Sequence, residues 1–135
     1  MSDARAATGS RRGRISRSGD FDAVYRQGRS AAGRLLVVYA FDRPSSQEPG
    51  AAAARLGLSV SRKVGGAVER NRVKRVLRER FTALVDRVPE GTDIVVIARP
   101  GVCEYLDERG SAALGARLEE LVARVVRSSA AEAAR

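Results

Sequence analysis

Residues 92–100, TDIVVIARP, place four apolar side chains in succession, Ile94 to Ile97, and close on Pro100. An unbroken apolar run of this kind predicts a strand covered on both faces. Residues 34–41, RLLVVYAF, carry the β-branched and aromatic side chains of a second strand. In residues 54–61, ARLGLSVS, Leu56, Leu58 and Val60 alternate with small or polar residues, which predicts a strand with one buried face. A loop at 42–54 containing Pro44 and Pro49 joins these last two strands, which are expected to be antiparallel neighbours.

Helical spacing appears in three places. Residues 16–28, SRSGDFDAVYRQG, predict a short helix with Ser18 as N-cap, Asp20 and Asp22 at its positive end and Gly28 just past its close. From Ser111 onward, Leu114, Leu118, Leu121, Val122 and Val125 recur at the interval of an amphipathic final helix. Between them, Gly65 and Gly66 permit an unusual backbone turn before a helix over 68–86. Residues 1–13 are small, polar and basic and are expected to form a disordered arm, and 128–135 a frayed tail, leaving one domain at 14–127.

The middle helix has two unlike sides. At about 100° of rotation per residue, Val73, Val76, Leu77, Phe81 and Leu84 share one side, with Arg80 intruding on its long aliphatic stem. Asn71, Lys74, Arg75 and Arg78 fall on the opposite side, Arg72 on its flank, and Arg70 near the apolar border. Residues 62–80 hold eight basic side chains against two acids, Glu69 and Glu79. Like charges one turn apart, such as Lys74 and Arg78, disfavour an isolated helix by a few tenths of a kcal/mol each, roughly, and an opposing polyanion would remove that penalty. A solvated helix face is the bland alternative. Asn71 weighs against it, because a neutral amide adds no charge but hydrogen-bonds bases, sugars or backbone.

Whole-chain composition points the same way. Twenty-five Lys and Arg oppose sixteen Asp and Glu, a net charge of +9, and all but Lys63 and Lys74 of the basic residues are arginine. Arginine's planar fork suits phosphate, so nucleic acid is the leading partner class and an anionic membrane surface the second. There is no histidine, which excludes His-containing zinc sites, Ser-His-Asp and Cys-His catalysis. The single cysteine, Cys103, cannot form an internal disulfide, and a reducing compartment is expected. No run approaches the roughly twenty apolar residues of a membrane span, and the first residues lack the apolar core of a signal peptide, so a soluble cytoplasmic chain is expected. The acids Asp86, Asp93, Glu104, Asp107 and Glu108 read as scattered through loops and element ends, with no catalytic pair and no metal site among them.

The run Gly57, Leu58, Ser59, Val60, Ser61, Arg62, Lys63, Val64, Gly65, then Ala67 to Arg75, then Arg78 and Glu79, resembles the bacterial ribonuclease P protein subunit. The resemblance extends from about Arg14 to Arg127 and includes Asp20 and Phe21 and the DIVVIARP run at 93–100. It implies an α+β domain of αβββαβα type, a small central sheet packed against helices, with a left-handed crossover through the arginine-rich helix. It also implies partners: a large catalytic RNA, in a 1:1 complex with a protein monomer, and precursor tRNA, with no membrane. The RNA would remove the 5′ leader hydrolytically with Mg2+ held mainly by RNA, and no catalytic or metal-binding residue is expected on the protein. By the same resemblance Arg70, Asn71, Arg72, Lys74, Arg75 and Arg78 would contact the catalytic RNA. Phe21, Tyr25 and Tyr39 would line a cleft for the single-stranded leader, with Arg62 and Lys63 near its mouth.

Overall fold

A computed structural model describes Ile15, residues 18–43 and residues 53–133. The expected arm at 1–13 lies outside the described residues, as do the side chains of Ser18 and Asp20. The elements run α1 (Ser18–Gln27), β1 (Arg29–Ala32), β2 (Leu36–Asp42), β3 (Arg55–Val60), α2 (Ala67–Thr82), a 3-10 turn (Val85–Arg87), β4 (Thr92–Ala98), α3 (Val102–Arg109) and α4 (Ser111–Ala133). This is an α+β fold with one four-stranded sheet. The backbone of α4 is helical through Ala133, into the stretch expected to fray.

The sheet order is β1-β2-β4-β3, which corrects the expected pairing of β2 with β3. β4 lies between them, antiparallel to β2 with Val38 opposite Val96 and parallel to β3 with Leu58 opposite Val96. The physical reason is burial. β4 carries the unbroken apolar run, and Ile94, Val95 and Val96 are all fully buried, which only a central strand covered on both faces achieves. Parallel pairing of β3 with β4 then requires a crossover connection, and α2 supplies it.

Two elements were not read from the residue pattern, although the αβββαβα type implied by the resemblance already has three strands before α2 and so includes β1. β1 has only four residues, RSAA, and pairs antiparallel with β2 to close a tight hairpin in which the Gly33 N–H donates to the Leu36 carbonyl at 2.8 Å. α3 follows Pro100 closely, and it gathers Glu104, Asp107 and Glu108 onto one helix rather than scattering them through loops.

The sheet divides the interior. On one face Leu36, Val38, Ala40, Ile94, Val96, Leu56 and Val60 join Val73, Leu77 and Phe81 of α2, Val102 and Leu106 of α3, and Leu114, Leu118, Leu121, Val122 and Val125 of α4. On the other, Val95 packs with Ile15 and Val24, and Phe21, Tyr39, Phe41 and Ile97 surround them half-buried. Arg80 leaves the apolar side of α2 as expected. Its stem crosses Gly115 of α4, where an added Cβ would stand 2.7 Å from the arginine Cδ, and its Nη2 donates to Ser111 Oγ at 2.8 Å.

Glycines act here through clearance. Gly65 and Gly66 show no positive φ, contrary to the expected unusual turn. Glu69, in the first turn of α2, folds back over both, so a Cβ on Gly65 would stand 2.9 Å from the Glu69 Cβ. Gly28 likewise lets the end of α1 approach β2, since a Cβ there would meet the Ala40 carbonyl oxygen at 2.7 Å.

Asp93, at the start of β4, is buried yet charged. Arg55 of β3 grips it with two hydrogen bonds, Nε to Oδ1 at 2.8 Å and Nη2 to Oδ2 at 2.6 Å, and Arg43 just past β2 adds Nη1 to Oδ1. This triad ties together the chain ends on either side of the proline-containing loop. Removing one member of a buried pair strands the others. Asp93→Asn is therefore expected to lower stability by about 2–4 kcal/mol in urea unfolding, less than a fully buried pair would lose because both guanidinium groups keep some solvent contact.

Candidate nucleic-acid interface

α2 is anchored by Val73, Val76, Leu77 and Phe81, all buried, and its other side faces solvent. Asn71 and Arg75 are exposed and Lys74 half-buried, and none of the three side chains makes a hydrogen bond or ion pair with the described residues. Arg70 and Arg78 are half-buried. Arg78 has interactions of its own within the chain. The Arg70 Nε is shielded from solvent with no hydrogen-bond partner among the described residues, an unmet donor of the kind that needs a reason. Arg72 reaches a carboxylate, with Nη1 2.5 Å from Asp107 Oδ1 of α3. Val68, which the sequence places among the apolar residues of this segment, is 79% exposed, because it lies five residues before Val73 and so well round the helix from it.

α1 lies on the opposite face of the sheet. Phe21 sits directly over Gly57 of β3, where an added Cβ would stand 2.8 Å from its Cε1. Tyr25 follows one turn later, its ring 6.3 Å from that of Phe21 and 5.2 Å from that of Tyr39, the latter pair edge-on at 75°. The structure thus brings the three predicted aromatics into one row, with Tyr25 the most exposed at 38% and Phe21 and Tyr39 half-buried. Burial pushes the Tyr25 phenol above its ordinary pKa; the Tyr39 ring adds to this, and a side-chain hydrogen bond with Ser59 opposes it. The ring is neutral near pH 7, so it adds no charge that would repel phosphate.

Arg62 and Lys63 are exposed in the turn that leaves β3, where the Val64 N–H donates to the Ser61 carbonyl at 3.0 Å. That turn starts two residues past Ser59 and leads into α2. The cationic helix on one face and the aromatic row on the other are thereby joined through a single connection.

Elsewhere the excess of positive charge is smaller. A cavity of about 610 Å³ between the β1–β2 hairpin, α3 and α4 has four arginines and three glutamates in its lining and none of the predicted site residues. Among the described residues no group of three or more His, Cys, Asp and Glu is arranged to hold a metal ion. Cys103 is buried between α2 and α3, and burial, with Glu104 and Glu69 nearby, pushes its thiol pKa up, away from reactivity.

Comparison with known proteins decides the family. The sequence matches the Ribonuclease P family model over residues 10–126. The chain belongs to the ribonuclease P protein family. It is 46% identical over 89 residues to a ribonuclease P protein component from Brevibacillus brevis, covering 66% of this chain and 67% of that one. A Bacillus cereus (strain B4264) ribonuclease P protein component is 43% identical over 95 residues, covering 70% and 78%. Among solved structures, a ribonuclease P protein from Thermotoga maritima, in complex with 1-(4-fluorophenyl)-2-thiourea, superposes with a TM-score of 0.72 at 30% identity, covering 83% of this chain and 99% of that one. A Staphylococcus aureus ribonuclease P protein mutant with defective mRNA degradation activity gives 0.68 at 30% identity, covering 86% and 95%.

Three residues that shape this ribonuclease P family site were not singled out as site residues from the sequence. Gly57 carried a signal, since a lone glycine inside an alternating strand marks close approach of another group. Ser59 and Asp107 carried none, because their partners Tyr25 and Arg72 are remote in sequence.

The Tyr25 environment yields a pH prediction. The folded pKa lies above the ordinary value of 10.0, so this group's contribution to stability is complete below about pH 10 and is lost as pH rises through the window between the unfolded and folded values. Phenolate absorbance should show one late-titrating tyrosine, absent in Tyr25→Phe and shifted later still in Ser59→Ala.

Proposed function

We propose that this chain is the protein component of ribonuclease P, an RNA-catalysed endoribonuclease that removes the 5′ leader of precursor tRNA. Family membership carries the reading, and the open side chains of Asn71, Lys74 and Arg75 support its RNA-binding half. In this reading the solvent face of α2, with Arg70, Asn71, Arg72, Lys74, Arg75 and Arg78, holds the catalytic RNA. Guanidinium and ammonium groups release condensed counterions as they replace them on phosphates, which makes the affinity strongly salt-dependent.

The row of Phe21, Tyr25 and Tyr39 takes the single-stranded leader. Stacking of unpaired bases on aromatic faces is sequence-tolerant and contributes about 1–3 kcal/mol per base, which suits leaders of varied sequence. Arg62 and Lys63 lie where a strand leaving that row meets the connection to α2. The chain's own part is to bind and orient. In this reading the metal that activates water is held mainly by the RNA. No helix among the described residues is long and apolar enough to cross a membrane. A monomer in a 1:1 complex with the RNA, in the cytoplasm, completes the proposal.

The deciding experiment adds the protein to the catalytic RNA at low magnesium and follows precursor tRNA cleavage. Cleavage that does not depend on the protein would leave only a general RNA-binding role. Lys74→Glu with Arg75→Glu breaks no side-chain hydrogen bond or ion pair among the described residues, so the fold should persist by circular dichroism. Affinity for the catalytic RNA should drop by roughly a hundredfold or more, and the log–log salt slope should shrink by about two contacts' worth. Tyr25→Ala with Tyr39→Ala should weaken binding of leader-bearing precursor by about five-fold to a hundredfold relative to mature tRNA, as lost stacking requires. Equal losses for both ligands would remove the aromatic row from leader binding.

A further inference from the structure

We infer that Asp107 is a positioning residue for Arg72, holding its guanidinium in the orientation that meets RNA phosphate; this rests on the proposal that α2 is the catalytic-RNA surface. Three observations carry it. First, the contact is a single charge-assisted hydrogen bond, Arg72 Nη1 to Asp107 Oδ1 at 2.5 Å. Arg72 makes no other hydrogen bond with the described residues, so the rest of its five N–H donors stay open to a second acceptor.

Second, both partners face water, with side chains 38% and 63% exposed, so the pair adds little to folding and its consequence is geometric. Third, the carboxylate comes from a firm base. α3 is fixed by Val102, Cys103 and Leu106, all buried, and starts from Gly101 at a left-handed φ of 101°.

A carboxylate beside a phosphate-binding row repels the very ligand that row would bind. Asp107 is in ion-pair contact with the row, whereas Glu69 is folded over Gly65 and Gly66. Its benefit is to restrict a long side chain before the RNA arrives, so that less freedom is lost on binding.

A double-mutant cycle separates this benefit from the repulsion. Affinity for the catalytic RNA is measured for the wild type, Asp107→Asn, Arg72→Ala and the double variant, with unfolding midpoints as a check that all four fold. With Arg72 absent, Asp107→Asn only removes repulsion and should tighten binding. With Arg72 present, the same change should tighten binding at least three-fold less, or weaken it. Asp107→Glu, which keeps the charge and the acceptor, should restore most of this coupling.

An identical factor in both backgrounds overturns the inference, and so does a larger gain with Arg72 present, which would make Asp107 a competitor for the guanidinium. An affinity for Arg72→Ala equal to wild type overturns the interface reading of Arg72 itself, and is distinguished from the other failures because it appears in the single variant.

Discussion

The anchoring of α2 through Val73, Val76, Leu77 and Phe81 is the contact on which the rest of the molecule depends. Each buried aliphatic or aromatic side chain stabilises by about 1.5–3 kcal/mol, whereas each like-charge pair on the far side costs only a few tenths. Burial wins by a wide margin. A helix that would be poor on its own becomes a fixed rail, and its crowded cations stay pointed at solvent, with no carboxylate among the described residues paired to Lys74 or Arg75.

The same anchoring dictates sheet topology. Because α2 connects β3 to β4 as a crossover, the two strands run parallel and adjacent, and β4 is driven to the centre. Its side chains then serve two interiors at once, Ile94 and Val96 towards α2 and α4, Val95 towards α1. The second interior is thin. Among the described residues three buried ones underlie it, and Phe21 and Tyr39 are half-buried and Tyr25 more open still. A thicker core there would have buried the rings completely.

Charge follows this architecture. Three acids pair with arginines away from α2: Asp93 with Arg55 and Arg43, Glu119 with Arg87, Asp42 with Arg29. The arginines of the β1–β2 hairpin, α3 and α4 share their cavity with glutamates, while α2 and the turn before it keep their excess. The described part of this ribonuclease P family protein thus concentrates its cationic excess on α2 and the turn before it.

Local sequence alone determined the helices α1, α2 and α4 and the strands β2 to β4. Capping residues marked α1, β-branched and aromatic content marked β2, and an unbroken apolar run marked β4. Repeats of apolar side chains marked β3 and the buried sides of α2 and α4, because such a repeat is itself the record of a face turned to a core. The basic stripe was legible for the same reason: side chains on one helix share a face by local geometry. The order of strands was not, since β4 pairs with residues about forty positions away on one side and more on the other, and only the balance of total burial chooses among such pairings. β1 and α3 were too short to build a repeat. The Asp107 contact to Arg72, the Ser59 contact to Tyr25 and the seat of Phe21 on Gly57 arise between remote segments, and tertiary packing decided them because nothing in a local stretch of chain specifies what will be brought against it.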